Sequence, residues 1–384
     1  MFWNIVFWAS LALIFYTYAG YSILIIVLSF IIRTPLKRDH FLPFVSIVIS
    51  AYNEEKHIQS KLNNCIELDY PRDKMEIIVA SDGSTDSTDE IVKKYAKSHS
   101  GLQVILHRVE GRLGKTAVQN SAVKLCKGEI IIFSDAASMY DRNAIKAMVR
   151  NYADPTVGAV SGRYTYVKKE ESSASSGTVL FWKFENFIKT RQSTIKTVTG
   201  CCGCIYSIRK KLYTELPPHI ISDLVEPLTI LKKGFRIVFE PEALAVEETA
   251  GTTRNEFNMR IRVIVRGMNG ILYMRSLLNP VRYPYVAFQL LSHKILRWLV
   301  PVFCITAFIS NIFLVDRLPV YLISLTGQVI FYLLAIVGIW YDSKLVPKKI
   351  LYIPLYFCIV NMASLISIFY LILRKNVVTW QTSR

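Results

Sequence analysis

The stretch FVSIVISAYNEE, residues 44–55, is a run of apolar and β-branched residues that ends abruptly in polar ones. Its first seven residues predict a buried strand, and its polar end predicts a turn into a helix that carries Ile58, Leu62 and Ile66. Three more segments follow the same pattern and predict strands at residues 76–80, 102–106 and 129–134. Strands that alternate with helices indicate an α/β domain with a largely parallel sheet.

Polar loops follow these predicted strands. Because ligands of open α/β sheets lie outside the carboxyl ends of the strands, the side chains there are expected to converge on one cleft. Carboxylates at that edge suit a base, a ribose or a divalent cation, and a lysine suits a phosphate. Helix capping is an alternative role for Asp82, since Asp is a favoured cap. The side chains expected in the cleft are Tyr52, Glu54, Asp82, Lys115 and Asp135.

Four apolar stretches, at residues 1–32, 295–315, 318–341 and 350–373, reach the roughly 20 residues that a membrane-spanning helix needs. A composition of 52% hydrophobic and 20% charged residues fits a soluble domain attached to such helices. A cleaved signal peptide fits the first stretch poorly, because no Lys or Arg precedes its apolar run. The predicted organisation is an N-terminal transmembrane helix (1–33), a soluble domain (34–253), amphipathic interfacial helices (254–293) and a C-terminal transmembrane block (294–384).

The positions of the cations predict the orientation, since loops rich in Lys and Arg stay on the cytoplasmic side. Arg33, Lys37 and Arg38 follow the first apolar stretch, which predicts a cytosolic central domain in a multi-pass protein of the cytoplasmic membrane. Three later crossings would leave the cations of the C-terminal tail on the other side, so the side of the C-terminus stays open. Those tail cations are Arg374, Lys375 and Arg384.

The formal net charge of +17 has two readings, a nucleic-acid partner or contact with anionic lipids and phosphate-bearing substrates. The second is favoured, because the chain has apolar spans and no nucleic-acid-binding motif. The sequence GKT at 114–116 lacks the earlier glycine of a P-loop, whose position Val109 occupies. No G-x-G-x-x-G follows the first strand, so a dinucleotide-binding fold is unsupported.

Two later segments carry candidate substrate contacts. The aromatic run FWKFENF, residues 181–187, includes Trp182, which suits either the core or a stacking platform for a sugar. Residues 254–275 have apolar positions at helical spacing, which predicts an amphipathic helix at the membrane surface. Its Arg262 and Arg266 share one face and, with Arg260, suit either a diphosphate or lipid head groups.

Taken in order, these motifs resemble the family 2 glycosyltransferases, in particular the membrane-integrated branch that includes cellulose, hyaluronan and chitin-oligosaccharide synthases. The resemblance covers residues 45–270. It rests on VSIVISAYNEE (45–55), SDGSTD (81–86), GK (114–115) with Asn120, FSDA (133–136), GCIYSIR (203–209), ISD (221–223) and GFRIVFEP (234–241).

The resemblance implies a GT-A fold, with a Rossmann-like mixed sheet, one N-terminal and about three C-terminal transmembrane helices. It implies that Ala51, Tyr52, Glu54 and Asp82 hold the nucleoside of a nucleotide sugar and that Lys115 lies near its phosphates. Asp135 matches the first carboxylate of the D-x-D motif, which works with Mg²⁺ or Mn²⁺. Asp223 matches the general base that deprotonates the acceptor, although a helix cap is an alternative for Ser222 or Asp223.

Two departures from the family pattern stand out. The D-x-D position reads Asp135-Ala136-Ala137, so the third position lacks a carboxylate for a metal. The Q-x-x-R-W motif of processive synthases is absent, which puts processive synthesis in doubt.

The sequence therefore predicts an inverting glycosyltransferase with a cytosolic catalytic domain. It is expected to move a hexose or N-acetylhexosamine, from a UDP-linked donor, to a glycan or polyprenyl-linked acceptor in surface polysaccharide synthesis. Membrane lipids and a second copy of the chain are expected partners, and nucleic acid is not. The alternative is a membrane scaffold or export subunit that binds nucleotide sugars without catalysis.

Overall fold

The computed structural model describes residues 1–99, 101–167, 173–248, 253–342 and 349–373. The three cations of the C-terminal tail lie outside these residues. The described chain forms an α/β domain between one N-terminal and three C-terminal apolar helices.

One eight-stranded mixed sheet forms the centre of the domain. Neighbouring strands follow the order β3-β2-β1-β4-β7-β6-β8-β5. The strands are β1 (Val45–Ala51), β2 (Met75–Ser81), β3 (Gln103–Arg108), β4 (Ile130–Asp135), β5 (Met139–Tyr140), β6 (Val157–Val167), β7 (Ile205–Arg209) and β8 (Arg236–Glu248).

The first half of the sheet is parallel, which confirms the four strands predicted from the apolar runs. Strand β1 pairs in parallel with β2 and β4, and β2 pairs in parallel with β3. Every residue of β1 and β2 is buried, as expected of strands covered on both faces. Each fully buried Val or Ile contributes roughly 1.5–3 kcal/mol relative to exposure.

The second half of the sheet departs from the largely parallel arrangement that the strand pattern predicted, and it confirms the mixed sheet that the family resemblance implied. Strand β7 runs antiparallel to both β4 and β6, and β5 runs antiparallel to β8. Only β6 and β8 pair in parallel there. These strands are short or interrupted by bulges and polar residues, so their pairing has no clear signal in the local sequence.

Helices cover both faces of the sheet. Two apolar clusters lie on opposite faces, one around Ile47 and Ile49 and the other around Val48 and Phe133. The helices of the domain are α3 (Ile58–Ile66), α4 (Thr88–Ser98), α5 (Lys115–Val123), α6 (Ala144–Val149), α7 (Ser173–Ile195), α8 (Ser222–Lys232) and α9 (Thr253–Tyr273).

Four helices are long and apolar enough to cross a membrane: Phe2–Ile31, Pro284–Ile312, Pro319–Tyr341 and Ile353–Ile372. The second begins at Pro284, earlier than the apolar stretch that the sequence suggested at 295–315. The first two spans each contain a π-helical turn, at Tyr16–Gly20 and Leu291–Ile295. The helical segments are α1 (Phe2–Phe15), α2 (Tyr21–Ile31), α10 (Pro284–Leu290), α11 (Leu296–Ile312), α12 (Pro319–Asp342) and α13 (Lys349–Ile372).

Helix α9, predicted to be amphipathic, connects the domain to the apolar helices. Its Ile264 and Met268 pack against Ala363 of α13, while Ile271 joins the core on the α8 side of the sheet. The helix therefore has one apolar face on the membrane block and another on the domain.

Candidate active site

The carboxyl ends of β1, β2 and β4 meet at one edge of the sheet. Ala51 at the end of β1 pairs with Ser81 at the end of β2, and Ser50 pairs with Asp135 at the end of β4. Asp82 follows directly, and its backbone N–H donates to the carbonyl of Ala51 at 2.9 Å. This edge is the one that the strand pattern predicted for a ligand cleft.

Asp82 holds the loop that leads into α5. Its Oδ1 accepts the backbone N–H of Leu113 at 2.8 Å and that of Gly114 at 3.2 Å. Burial raises the pKa of this carboxyl, while the two N–H groups and Arg112 work in the opposite direction. The side chain is fully buried, so in this conformation its oxygens organise the loop that presents Lys115.

Tyr52 lies beneath the guanidinium of Arg112, whose carbon is 3.7 Å from the centre of the tyrosine ring. Both side chains are planar and half-buried, so a nucleobase can stack on either of them. Glu54 follows Tyr52 by two residues, but its carboxylate contacts His57 at 2.9 Å. The structure thus brings Tyr52 to the cleft together with a residue that the sequence did not single out.

Lys115 and Asp135 form an ion pair across the cleft floor. The Lys115 ammonium donates to the Asp135 carboxylate and, at 3.2 Å, to the carbonyl of Gly203. Burial alone would lower the pKa of Lys115, but Asp135 more than offsets this and raises it. The lysine therefore stays charged beside a carboxylate whose side chain is 39% exposed.

Asp223 lies in the first turn of α8, near the Lys115–Asp135 pair. A Cβ at position 203 would lie 2.5 Å from its Oδ2, so the main chain of Gly203 packs against this carboxylate. No side-chain hydrogen bond caps α8, and the N-cap position is Ile221, which argues against the capping role considered for Ser222 and Asp223. Burial raises the pKa of Asp223, and Lys115 and Arg266 partly counter that effect.

The three arginines of α9 separate into two groups. Arg266 donates to the carbonyl of Ile220 at 3.0 Å and acts electrostatically on Asp223. Arg262 acts in the same way on Asp135. Arg260 instead pairs with Glu256 at 2.7 Å and donates to the Tyr356 hydroxyl of α13. Two of the three predicted arginines therefore border the cleft, and Arg260 joins α9 to the membrane block.

Trp182 lies on α7 and is only partly buried. Its ring meets that of Tyr164 edge to face at 4.8 Å and packs on the apolar core. The Lys189 ammonium lies 5.8 Å from the tryptophan ring. Trp182 therefore packs on the core, and its partly exposed ring is compatible with the predicted sugar platform.

Residues 46–216 match the family model described as glycosyl transferase family 2. They contain most of the side chains of the cleft. The chain carries a family 2 glycosyltransferase domain. The match includes the β1 end, the Asp82 loop, Lys115 and Asp135, and it stops before Asp223 and α9.

Curated relatives of this glycosyltransferase domain include two poly-β-1,6-N-acetyl-D-glucosamine synthases, from Staphylococcus aureus strain COL and from Staphylococcus epidermidis. Each is 27% identical over 215 residues, which is 54% of this chain and 51% of the relative. The chain thus spans about half the length of the curated relatives it matches.

Among solved structures, the mannosyltransferase PcManGT from Pyrobaculum calidifontis, in complex with GDP-Man and Mn²⁺, superimposes with a TM-score of 0.73. It is 22% identical, and the alignment covers 97% of this chain and 100% of that one. The likeness confirms the fold: a GT-A mixed sheet with one N-terminal and three C-terminal apolar helices.

The donor set of this glycosyltransferase domain fits a metal only in part. Within the described residues there is no group of three or more His, Cys, Asp or Glu side chains able to hold an ion. Asp135 is one partly exposed carboxylate. Because Mg²⁺ binds through one or two carboxylates plus substrate phosphates, Asp135 fits a cation that arrives with the donor diphosphate.

Arg112 and Gly203 were not predicted as site residues, although Gly203 begins the motif GCIYSIR. Arg112 has a detectable signal, since it stands in the same GRLGK loop as Lys115 and is planar and cationic. Gly203 lies between Cys202 and Cys204, whose buried Sγ atoms are 3.4 Å apart in the apolar core. Its role depends on the approach of α8, which no local pattern predicts.

Proposed function

We propose that this protein is an inverting glycosyltransferase of the cytoplasmic membrane that acts in surface polysaccharide synthesis. It moves a hexose or N-acetylhexosamine from a nucleotide sugar to a glycan or lipid-linked acceptor. The observation that carries the proposal is the position of Asp223, whose carboxylate makes no side-chain hydrogen bond within the described residues and lies near Lys115, Asp135 and Arg266. N-Acetylglucosamine is the first sugar to test, because the two relatives named above are poly-β-1,6-N-acetyl-D-glucosamine synthases.

The donor occupies the edge formed by Ala51, Tyr52 and Asp135. A nucleobase stacks on the pair formed by Tyr52 and Arg112, and the diphosphate lies towards Lys115, Arg262 and Arg266. Three cations there offset the charge that develops as the diphosphate leaves. Mg²⁺ or Mn²⁺, bound with the diphosphate at Asp135, would add further charge compensation. Asp82 supports this site indirectly by holding the loop before α5.

Asp223 takes the proton from the acceptor hydroxyl as that oxygen attacks C1 of the sugar. The bond from C1 to the diphosphate oxygen breaks, and the nucleoside diphosphate leaves with the bonding electrons. One direct displacement inverts the configuration at C1. A raised pKa suits this role, because it brings the proton affinity of the carboxylate closer to the pH at which it operates.

The full-length protein, purified in detergent and incubated with nucleotide sugars and Mg²⁺ or Mn²⁺, tests the proposal through nucleotide release and product formation. Asp223→Asn keeps the shape and removes the base, so the transfer rate should fall by roughly 10²–10⁴. Asp73→Asn, at an exposed position, is the matched control and should leave the rate unchanged. Full activity of Asp223→Asn would overturn the base assignment, and absence of turnover with every donor would favour the non-catalytic alternative.

A further inference from the structure

Lys61 of α3 is a lysine that lies entirely inside the domain. Its side chain is 0% exposed, and lysines are seldom fully buried unless their charge is paired. The ammonium donates to the carbonyl of Ser138 at 2.5 Å and lies 3.6 Å from the centre of the Tyr140 ring. The carboxylate that acts on it electrostatically is that of Asp135. The contacts of this buried cation therefore lead to the turn that carries Asp135.

This turn, residues 135–138, links β4 to β5. The backbone N–H of Ser138 donates to the carbonyl of Asp135 at 3.3 Å and closes the turn. Burial alternates along it, since Asp135 and Ala137 are partly exposed, whereas Ala136 and Ser138 are buried. The turn thus has an outer side, with Asp135 and the position that departs from the D-x-D pattern, and an inner side, with Ser138.

A second buried side chain holds Ser138 from another direction. The Ser138 hydroxyl donates to the carboxylate of Glu247 in β8 at 3.2 Å. Glu247 is 5% exposed and also accepts from the Tyr164 hydroxyl. Ser138 is therefore bonded to a cation through its carbonyl and to a carboxylate through its hydroxyl. Two elements that are distant in sequence, α3 and β8, fix the inner side of the turn.

The position of the turn matters because it offers a cation only one carboxylate. Ala137 stands where the D-x-D pattern has its second acidic residue, so Asp135 has no neighbouring carboxylate to share a cation with. The place of that single carboxylate is then set by the main chain that carries it. Residues that orient a metal ligand from behind typically change metal affinity by roughly 10–100-fold when they are mutated.

We propose that Lys61 is a positioning residue for sugar transfer. Through Ser138 it fixes the turn that presents Asp135 to the divalent cation bound with the donor diphosphate. The inference rests on the proposed function and adds a residue to it. Lys61 acts from behind the turn and reaches the cation only through Ser138 and Asp135.

The charge of Lys61 and its hold on the turn predict opposite results when the residue is replaced. An ammonium near Asp135 repels a divalent cation, so removal of the charge alone would strengthen cation binding. Release of Ser138 weakens cation binding, because the carboxylate of Asp135 is no longer held in one place. The direction of the change therefore separates positioning from electrostatics.

The test measures Mn²⁺ binding to the full-length protein in detergent by electron paramagnetic resonance, with and without UDP or GDP. In Lys61→Met, the Mn²⁺ affinity in the presence of nucleotide should fall by roughly 10–100-fold, while metal-free nucleotide binding should be unchanged. Lys93→Met, at an exposed lysine of α4, is the matched control and should behave like the wild type. A Mn²⁺ affinity of Lys61→Met equal to or above that of the wild type would overturn the proposal.

Transfer kinetics give a second readout that a general loss of stability would not produce. The Mn²⁺ concentration needed for half-maximal transfer should rise in Lys61→Met, and saturating Mn²⁺ should restore most of kcat. A low kcat that does not respond to Mn²⁺, with an unchanged half-maximal concentration, would contradict a role in cation positioning.

Ser138→Ala covers the case in which Lys61→Met does not fold, as judged by its unfolding temperature and its metal-free nucleotide binding. Alanine removes the hydroxyl bond to Glu247 and keeps the carbonyl that Lys61 contacts. Its Mn²⁺ affinity with nucleotide should fall, although by less than in Lys61→Met, and a wild-type value would count against the proposal. Nucleotide and Mn²⁺ binding by the wild type without transfer from any donor would defeat the proposed function alone. Transfer by the wild type with unchanged Mn²⁺ binding in both variants would defeat this inference alone.

Discussion

The Cα of Gly203 faces the carboxylate of Asp223 so closely that a Cβ there would lie 2.5 Å from Oδ2. The carbonyl of the same glycine accepts a hydrogen bond from Lys115. One residue without a side chain therefore sets the separation between the proposed base and the cation of the donor site. The Asp223 carboxylate and the Lys115 ammonium both contact the main chain of Gly203, so a substitution at this residue can displace both.

Gly203→Ala should displace Asp223 and lower the rate of sugar transfer by about 10²-fold, the loss expected for a misplacement of about 1 Å. The measurement is kcat for nucleotide release at saturating donor, with nucleotide affinity measured separately. Gly327→Ala is the matched control, because a Cβ at that position meets nothing within 4 Å. Wild-type kcat in Gly203→Ala would contradict the close approach.

The pH dependence of transfer should follow the ionisation of Asp223. Burial raises the pKa of this carboxyl. As the pH is lowered, activity should therefore be lost at a pH above the pKa of an ordinary aspartate. Arg266→Gln removes a cation that lowers this pKa, and the acidic limb of the profile should therefore move to higher pH. Arg266→Lys keeps the charge and should leave the limb in place. An unchanged limb in Arg266→Gln would argue that another group titrates.

Glu226 should make the stability of the fold depend on pH. Burial raises the pKa of this carboxyl from 4.5 to about 8, while the Tyr206 hydroxyl donates to it at 2.9 Å. The folded state then holds a proton that the unfolded state releases above pH 4.5. The stabilisation is therefore complete below that pH and is lost as the pH rises through about 8.

Glu226→Gln stays neutral and can still accept from Tyr206. Its unfolding temperature should equal that of the wild type near pH 5 and exceed it near pH 9. The corresponding difference in the free energy of unfolding near pH 9 is on the order of a few kcal/mol. Glu110→Gln, at a side chain that is 93% exposed, should show no such divergence. Parallel curves for the wild type and Glu226→Gln would refute the buried, protonated state.

Metal binding should require the donor. With Asp135 as one carboxylate already paired to Lys115, the protein alone should bind Mn²⁺ weakly, and nucleoside diphosphate should raise the affinity strongly. Electron paramagnetic resonance of free Mn²⁺ measures this without reference to activity. Asp135→Asn should reduce the effect of the nucleotide. Tight binding of Mn²⁺ without nucleotide would mean that the site has further protein ligands.

The local sequence was sufficient for the parallel half of the sheet and for the edge that forms the cleft. Buried strands there are continuous apolar runs, and each ends at polar residues whose side chains must leave the core. Register then brings Asp82 and Asp135 to the same edge, as expected. The apolar spans were predictable for a similar reason, since length and composition alone decide whether a helix can cross a bilayer.

The second half of the sheet and the state of the individual side chains depended on tertiary structure. Strand β7 is antiparallel to β4, and this pairing is set by contacts between residues about 75 positions apart, such as Phe133 and Tyr206. The sequence predicted one shared role for Arg260, Arg262 and Arg266. In the structure Arg260 instead pairs with Glu256 of α9 and donates to Tyr356 of α13.

The sequence by itself determined the four apolar helices and the residue types at the cleft edge, because each follows from a pattern within one segment. The GT-A class was implied by the resemblance that the ordered motifs carry. Only the tertiary structure decided that the main chain of Gly203 packs against Asp223 and that Arg260 pairs with Glu256 and donates to Tyr356 instead of facing the cleft. Those relationships join residues from separate segments, and a charge or a close approach has meaning only once its neighbours in space are known.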